Sequence, residues 1–168
     1  EDFDKYKMGM AMLLTTRGIP QMYYGTEILM KNFSNPDGLV RSDFPGGWPG
    51  DKKDKFIAKG RTSKENEAFN FVKTLANYRK NSVALQTGKL MQFVPEDDVY
   101  VYFRYNENAK GNVMVVVNNT EKEKRLYTDR FAERINGITT AKNVISGESQ
   151  SIKEIKVPAK TTLVLELN

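Results

Sequence analysis

The stretch RGIPQMYYGTE, residues 17–27, sets an apolar, β-prone run between two glycines and closes it on the carboxylate of Glu27. The run Pro20 to Tyr24 does not alternate in polarity, which predicts a short strand buried on both faces, as in a parallel sheet. On its N-terminal side, EDFDKYKMGMAMLLTTR spaces Phe3, Tyr6, Met10, Leu13 and Leu14 at helical intervals. Asp2 and Asp4 favour the N-terminal end of that helix, and Gly18 and Pro20 stop it. On its C-terminal side, residues 25–62 are rich in Gly, Pro, Asn and Asp, far more than the usual connection of about 4–6 residues.

A second helix follows in TSKENEAFNFVKTLANYRKNS. Ser63 and Asn66 are candidate caps, Ala68, Phe71, Val72, Leu75, Ala76 and Tyr78 form its apolar face, and it ends near Ser82. From Gly88 the period changes to two. VYVYFRYN alternates Val99, Val101, Phe103 and Tyr105 against Tyr100, Tyr102 and Arg104, and NVMVVVNN and TTLVLELN continue the pattern. About five to seven strands in an antiparallel sandwich are expected, interrupted by a helical turn at YTDRFAER. The order of elements predicts an α+β chain, with the last units of an α/β domain over residues 1–87 and an all-β domain over 88–168. A single βα unit cannot bury both faces of its strand, so residues 1–87 imply further neighbours upstream.

Composition narrows the chemistry. The chain of 168 residues has no cysteine and no histidine, which removes thiolate and Ser-His-Asp catalysis together with Cys- or His-ligated metals, and leaves the compartment open. The net charge is +5, but residues 1–87 mix 14 basic with 10 acidic side chains and residues 88–168 mix 12 with 11. No run of like charge reads as a nucleic-acid stripe, and no window reaches the length of a membrane span. The opening EDFDKYK lacks the features of a signal peptide and an initiator Met, which predicts a piece of a longer polypeptide.

GIPQMYYGTE resembles the eighth-strand motif of the α-amylase family of glycoside hydrolases, with Gly18, Pro20, Tyr23, Gly25 and Glu27 at its characteristic positions. RSDFPGGWPGD, residues 41–51, is similar to the loop that follows in neopullulanases and cyclomaltodextrinases of the bacterial starch-utilisation type. The resemblance implies that residues 1–87 are the end of a (β/α)₈ barrel, with its last helices, strand eight and its loop, and that 88–168 are the C-terminal β-sandwich. It also implies a retaining, two-carboxylate enzyme acting on α-glucosidic bonds of starch, maltodextrin, pullulan or cyclodextrin, with its catalytic trio upstream of this segment. No catalytic residue is carried over, and this chain alone is expected to be inactive.

By the barrel rule, Pro20 to Tyr23 are mainly core while Gly25, Thr26 and Glu27 begin the substrate side. Trp48, the only tryptophan, is the candidate sugar contact, against the alternative of a plug packed into its own loop. Arg41 and Asp43 either meet sugar hydroxyls or form an ion pair bracing the loop. Tyr23 and Tyr24 read as core. The acid pairs Asp2 with Asp4, Glu65 with Glu67 and Asp97 with Asp98 lie in helix starts or turns, where capping and solvation account for them. No cofactor is expected; Asn35, Asp37, Asp51 and Asp54 raise calcium as a possibility for the parent enzyme, beside solvated loop acids. Tyr100, Tyr102 and Arg104 form either a stacking platform or the ordinary outer face of a sheet. The expected partner is an α-glucan, with self-association through exposed barrel surface. The alternative function is a non-catalytic carbohydrate-binding or structural β module.

Overall fold

A computed structural model describes residues 2–168. Its strands are β1 (Lys89–Gln92), β2 (Val99–Tyr105), β3 (Val113–Asn118), β4 (Lys124–Tyr127), β5 (Thr140–Asn143), β6 (Ser149–Ser151), β7 (Glu154–Val157) and β8 (Thr161–Leu167). Six pair in the order β1-β2-β3-β8-β5-β6, and β4 pairs with β7 in a second sheet, every pairing antiparallel. Among the described residues there are thus eight strands rather than five to seven, the extra ones being short.

The alternation in β2 is read correctly on one side. Val99, Val101, Phe103 and Tyr105 enter a core with Met114, Val116, Leu163 and Leu165, which Phe131 and Ile135 help to fill. Those last two sit where a helical turn is expected, in Asp129–Phe131 and α4 (Ala132–Ile135). The other side of the sheet is not a solvated outer face. Tyr102 and Arg104 are buried, and every residue of β3 is buried. Two helices account for this: α1 (Phe3–Thr15) packs against β8, and α3 (Val83–Gln86) packs against β2.

Helix α1 begins at Asp2, whose Oδ1 accepts the Lys5 backbone N–H at 3.0 Å. It buries Met8, Met10, Ala11 and Leu14. Helix α2 (Ser63–Asn81) buries Ala68, Val72 and Leu75, whereas Ala76 is exposed. Its cap is Thr62, one residue before the expected Ser63. Thr62 Oγ1 accepts the Glu65 N–H at 3.2 Å and Glu65 Oε2 accepts the Thr62 N–H at 2.8 Å, a reciprocal capping box.

The predicted strand at Pro20–Tyr24 is absent. Those residues have no ladder partner, and Gln21 to Tyr24 are exposed rather than core. An isolated extended segment cannot satisfy its backbone groups by pairing, so it stays irregular until Gly25 turns the chain. The long connection holds only three short 3₁₀ turns: Thr26–Ile28, Leu39–Arg41 and Ala58–Gly60. By packing, the chain divides into one unit made of the residues up to Pro20 with 74–168, and another made of 21–73. This division cuts differently from the 87/88 boundary, because α1 and the end of α2 are grouped with the β sheet. Among the described residues no helix is long and apolar enough to cross a membrane.

Candidate functional site

The residues singled out for sugar contact all lie within the 21–73 unit. The site begins at Gly25, whose φ of +81° is left-handed and whose missing side chain matters twice over, because a Cβ there would lie 2.3 Å from Met30 Sδ. The turn closes with the Met30 N–H donating to the Gly25 carbonyl at 2.9 Å, and Ile28 is buried beneath it. Tyr23 and Tyr24 pack against each other with rings tilted by 33° and centroids 4.6 Å apart, and both are exposed. The Tyr24 hydroxyl donates to the Ser42 carbonyl at 3.0 Å, so the motif at 18–27 grips the segment at 41–51 through a tyrosine read as core. The neighbouring Tyr23 hydroxyl, then burial and the Asp43 carboxylate, raise the Tyr24 pKa.

The FPGGWPGD segment is held from inside by one carboxylate. Asp51 Oδ2 accepts the backbone N–H groups of Gly46 at 2.7 Å and Trp48 at 3.1 Å. Those amides stabilise the charged form and lower the Asp51 pKa. Gly46, at φ +113°, allows the chain to pass Asp54, whose Cα would lie 2.6 Å from any added Cβ. The Lys55 N–H donates to the Pro45 carbonyl at 2.9 Å, and Phe44 packs on Phe56 with centroids 4.4 Å apart. Lys55 also pairs with Glu65, both side chains largely sheltered. Burial opposes ionisation of Glu65, but the Lys55 ammonium and the Thr62 N–H outweigh it and lower its pKa.

On this braced loop Trp48 is 65% exposed, which removes the plug reading: the backbone of residue 48 is fixed while its indole faces solvent. Of the two readings of Arg41 and Asp43, the ion pair between them does not form. Arg41 Nη2 donates to Asp37 Oδ2 at 2.6 Å instead, four residues back across the turn at Gly38. Among the described residues Asp43 has no hydrogen bond or ion pair, and it is exposed. Tyr24, read as core, and Asp51, raised only as one of four possible calcium ligands, brace the loop in roles that sequence reasoning did not assign; Asp51 shows in the sequence only as the acid that closes PGGWPGD, and nothing there marks Tyr24 as a clamp.

The structure also places the two remaining candidate sets. Asp37 is bonded to Arg41, Asp51 to loop amides, and Asp54 Oδ1 to the Phe56 N–H at 2.9 Å. No group of three or more acidic side chains converges on one position among the described residues. The Tyr100, Tyr102 and Arg104 face offers no open platform. Tyr102 is buried with its hydroxyl 2.6 Å from Thr15 Oγ1, and Tyr100 bonds Gln92 Oε1 at 2.8 Å.

Residues 90–166 match the cyclo-malto-dextrinase C-terminal domain. The chain is similar to the cyclomaltodextrin glucanotransferase of Klebsiella oxytoca, 38% identical over 111 residues that span 66% of this chain and 15% of that protein. It is also similar to the cyclomaltodextrin glucanotransferase of Niallia circulans, 29% identical over 170 residues that span 95% of this chain and 21% of that one. Its fold matches the crystal structure of the α-amylase from Geobacillus thermoleovorans complexed with acarbose, with TM-score 0.70 and 19% identity over 99% of this chain and 33% of that one. The chain therefore spans about a fifth or less of the length of these curated relatives. The match of 90–166 coincides with the antiparallel sheets, and the similarity to the relatives extends across the irregular segment that carries Gly25 and Trp48. Residues 90–166 thus match a cyclo-malto-dextrinase C-terminal domain, and the chain as a whole is similar to segments of cyclomaltodextrin glucanotransferases and has the fold of the matching part of an α-amylase.

Proposed function

We propose that the chain is the C-terminal portion of an enzyme that acts on α-glucosidic bonds of starch, maltodextrin, pullulan or cyclodextrin, of the neopullulanase or cyclomaltodextrinase kind. Residues 1–87 supply the end of its (β/α)₈ barrel, with residues 20–24, irregular in this chain alone, as the stretch that pairs as strand eight once neighbouring staves lie beside it, and 88–168 its β domain. A retaining mechanism requires two carboxyl groups about 5–5.5 Å apart across the scissile bond. The paired acids of this chain are otherwise engaged: Asp2 caps α1, Glu65 pairs with Lys55, and Asp97 and Asp98 face Lys124. Catalysis in the parent is therefore assigned to residues outside this segment, and the role of the segment is to present substrate-facing side chains.

The observation that carries this reading is Trp48, an exposed indole on a loop whose backbone is fixed by Asp51. A flat apolar ring held rigid loses little entropy when a pyranose stacks on it. Asp43 and Arg41, both exposed beside it in sequence, supply acceptor and donor for sugar hydroxyls. Exposed apolar side chains at Ile19, Met22, Tyr23, Tyr24 and Phe33 support the barrel reading, since a barrel strand and its flanks would be covered by neighbouring staves. Two assays test the proposal. Incubation with starch, pullulan and cyclodextrin should release no reducing ends, and electrophoresis through starch should retard the chain, with the retardation reduced in Trp48→Ala. Turnover by the chain alone, or mobility identical in the two proteins, would refute it.

A further inference from the structure

Where the ends of α1 and α2 meet the α3–β1 junction, the chain has a hollow of about 430 Å³. Its residues all belong to the packing unit formed by the residues up to Pro20 with 74–168. Arg17, Arg79 and Arg104 line it together with Ile19, Pro20 and Thr87, and among the described residues no carboxylate does. Like charges gathered in one small space repel unless an opposite charge joins them.

The three guanidiniums are committed to different degrees. Arg104 is buried, its Nη donors are spent on the carbonyls of Thr15, Thr16, Leu85 and Gly88, and its Nε–H has no acceptor. It therefore contributes a fixed positive charge. Burial, and then the nearby Arg79 and Arg17, press its pKa down, which shows that the three cations feel one another. Arg79 is half-buried and donates from Nη1 to the Leu14 carbonyl at 3.0 Å and from Nη2 to the Gly18 carbonyl at 2.7 Å, leaving more than half of its N–H groups free. Arg17 is exposed and has neither a hydrogen bond nor an ion pair.

The free guanidinium is nevertheless held from both sides. The carbonyl before it, Thr16, accepts from Arg104 Nη1 at 2.7 Å, and the carbonyl after it, Gly18, accepts from Arg79 Nη2 at 2.7 Å. Clamping the backbone at residue 17 removes part of the ordering cost that a ligand would otherwise meet. The carbonyl ends of α1 and α3 would repel an anion, but Arg104 already occupies them. A carboxylate would bring one charge and two acceptor oxygens. A phosphate group brings about two charges at neutral pH and three or more acceptor oxygens, and its geometry suits the forked donors of arginine. Three cations with unused donors are met more fully by the phosphate.

We propose that this hollow is a phosphate site, in which the free N–H groups of Arg17 and Arg79 grip the oxygens of a phosphate dianion while Arg104 supplies a fixed background charge. Inorganic phosphate and a phosphate monoester share that chemistry. The site rests on the arginine cluster and is independent of the glucan reading above.

Titration of the whole chain with inorganic phosphate at neutral pH and constant ionic strength, followed by amide and arginine Nε–H NMR, tests it. Saturable shifts should appear at residues 17–19 and 86–88, with a dissociation constant at or below about 1 mM. Chloride should give none, and acetate should bind at least about ten-fold more weakly. Glycerol 3-phosphate separates the two sources: affinity equal to that of phosphate admits monoesters, and affinity at least about ten-fold lower reserves the site for the free ion. Arg17→Gln, at an exposed position, should weaken phosphate at least about ten-fold, and Arg17→Lys should recover part of the loss, because the charge remains while the fork is gone. The same spectra report that each variant is folded. Lys59→Gln, at a residue that lines no part of this hollow, should change nothing. No saturable response at these residues, acetate or chloride binding as tightly as phosphate, or Arg17→Gln weakening it no more than Lys59→Gln does would overturn the proposal.

Discussion

Trp48 and Asp51 show how one residue can be displayed by fixing another. The carboxylate of Asp51 accepts two backbone N–H groups, which leaves the loop ordered and the indole outward. Because its folded-state pKa is lowered, its contribution is present above the unfolded value near 3.9 and is lost as pH falls through the folded value. Glu65, also lowered, adds to the same acid-side loss near the base of the loop. Tryptophan anisotropy should therefore hold steady from neutral pH down to about pH 5 and fall below about pH 4, and Asp51→Asn should lower it already at neutral pH. Gly25 gives a second test. An alanine there must adopt φ +81° and place its Cβ against Met30, so Gly25→Ala should destabilise the 21–73 unit by about 1–3 kcal/mol, read as faster hydrogen exchange at residues 25–30. Glycine and proline punctuation made Gly25 and the Trp48 loop legible in the sequence. Asp51 was less so, because which amide a loop carboxylate accepts depends on how the loop closes.

At the level of elements, the strands announced themselves by periodicity, and the error lay in what covers them. A period of two says which side chains share a face; it does not say whether a helix from elsewhere lies over that face. Tyr102 meets Thr15, 87 residues away, and no local pattern contains that contact. β3 was the better clue, since VMVVVN is apolar on both faces, as a doubly covered strand must be. Burial of the Tyr102 hydroxyl raises its pKa to about 12, so it stays protonated across the physiological range.

Arg104 is the hub of this covered face. Its Nη1 donates to the carbonyls of Thr15 at 2.9 Å and Thr16 at 2.7 Å, and its Nη2 to those of Leu85 and Gly88, both at 3.0 Å. One guanidinium thus caps the C-terminal ends of α1 and α3, where a cation is favoured by the helix dipole. Burial, with Arg79 and Arg17 nearby, lowers its pKa, yet an arginine keeps its charge. Arg104→Met would remove the donors from four carbonyls, three of them in buried bonds. It should cost about 3–5 kcal/mol, measured by denaturant unfolding, and Arg104→Lys should recover only a small part of this, because an ammonium cannot span both helix ends.

For the molecule as a whole, the two packing units differ in how finished they are. The β sheets close their core and leave few large apolar groups outside, whereas the 21–73 unit exposes many, Phe33 at 78% and Phe56 at 61% among them. Exposed patches of this kind mark surfaces that normally meet another surface. Sedimentation velocity should show the chain self-associating as its concentration rises, and the double substitution Ile19→Lys with Phe33→Glu should suppress this without altering the β-sheet circular dichroism. Composition had already excluded histidine and cysteine chemistry, and the segment motifs had already placed the chain beside α-amylases. The division into packing units was not legible, because α1 belongs by packing to strands that follow it by more than 80 residues.

The proposed α-glucan contact depends on a fixed, outward-facing Trp48. As the chain has a single tryptophan, its emission reports that position alone. Titration with maltotriose at neutral pH, with isomolar cellotriose as control, should give a saturable change in tryptophan emission for maltotriose only. Emission that stays flat through the millimolar range, or that responds equally to both sugars, would contradict it.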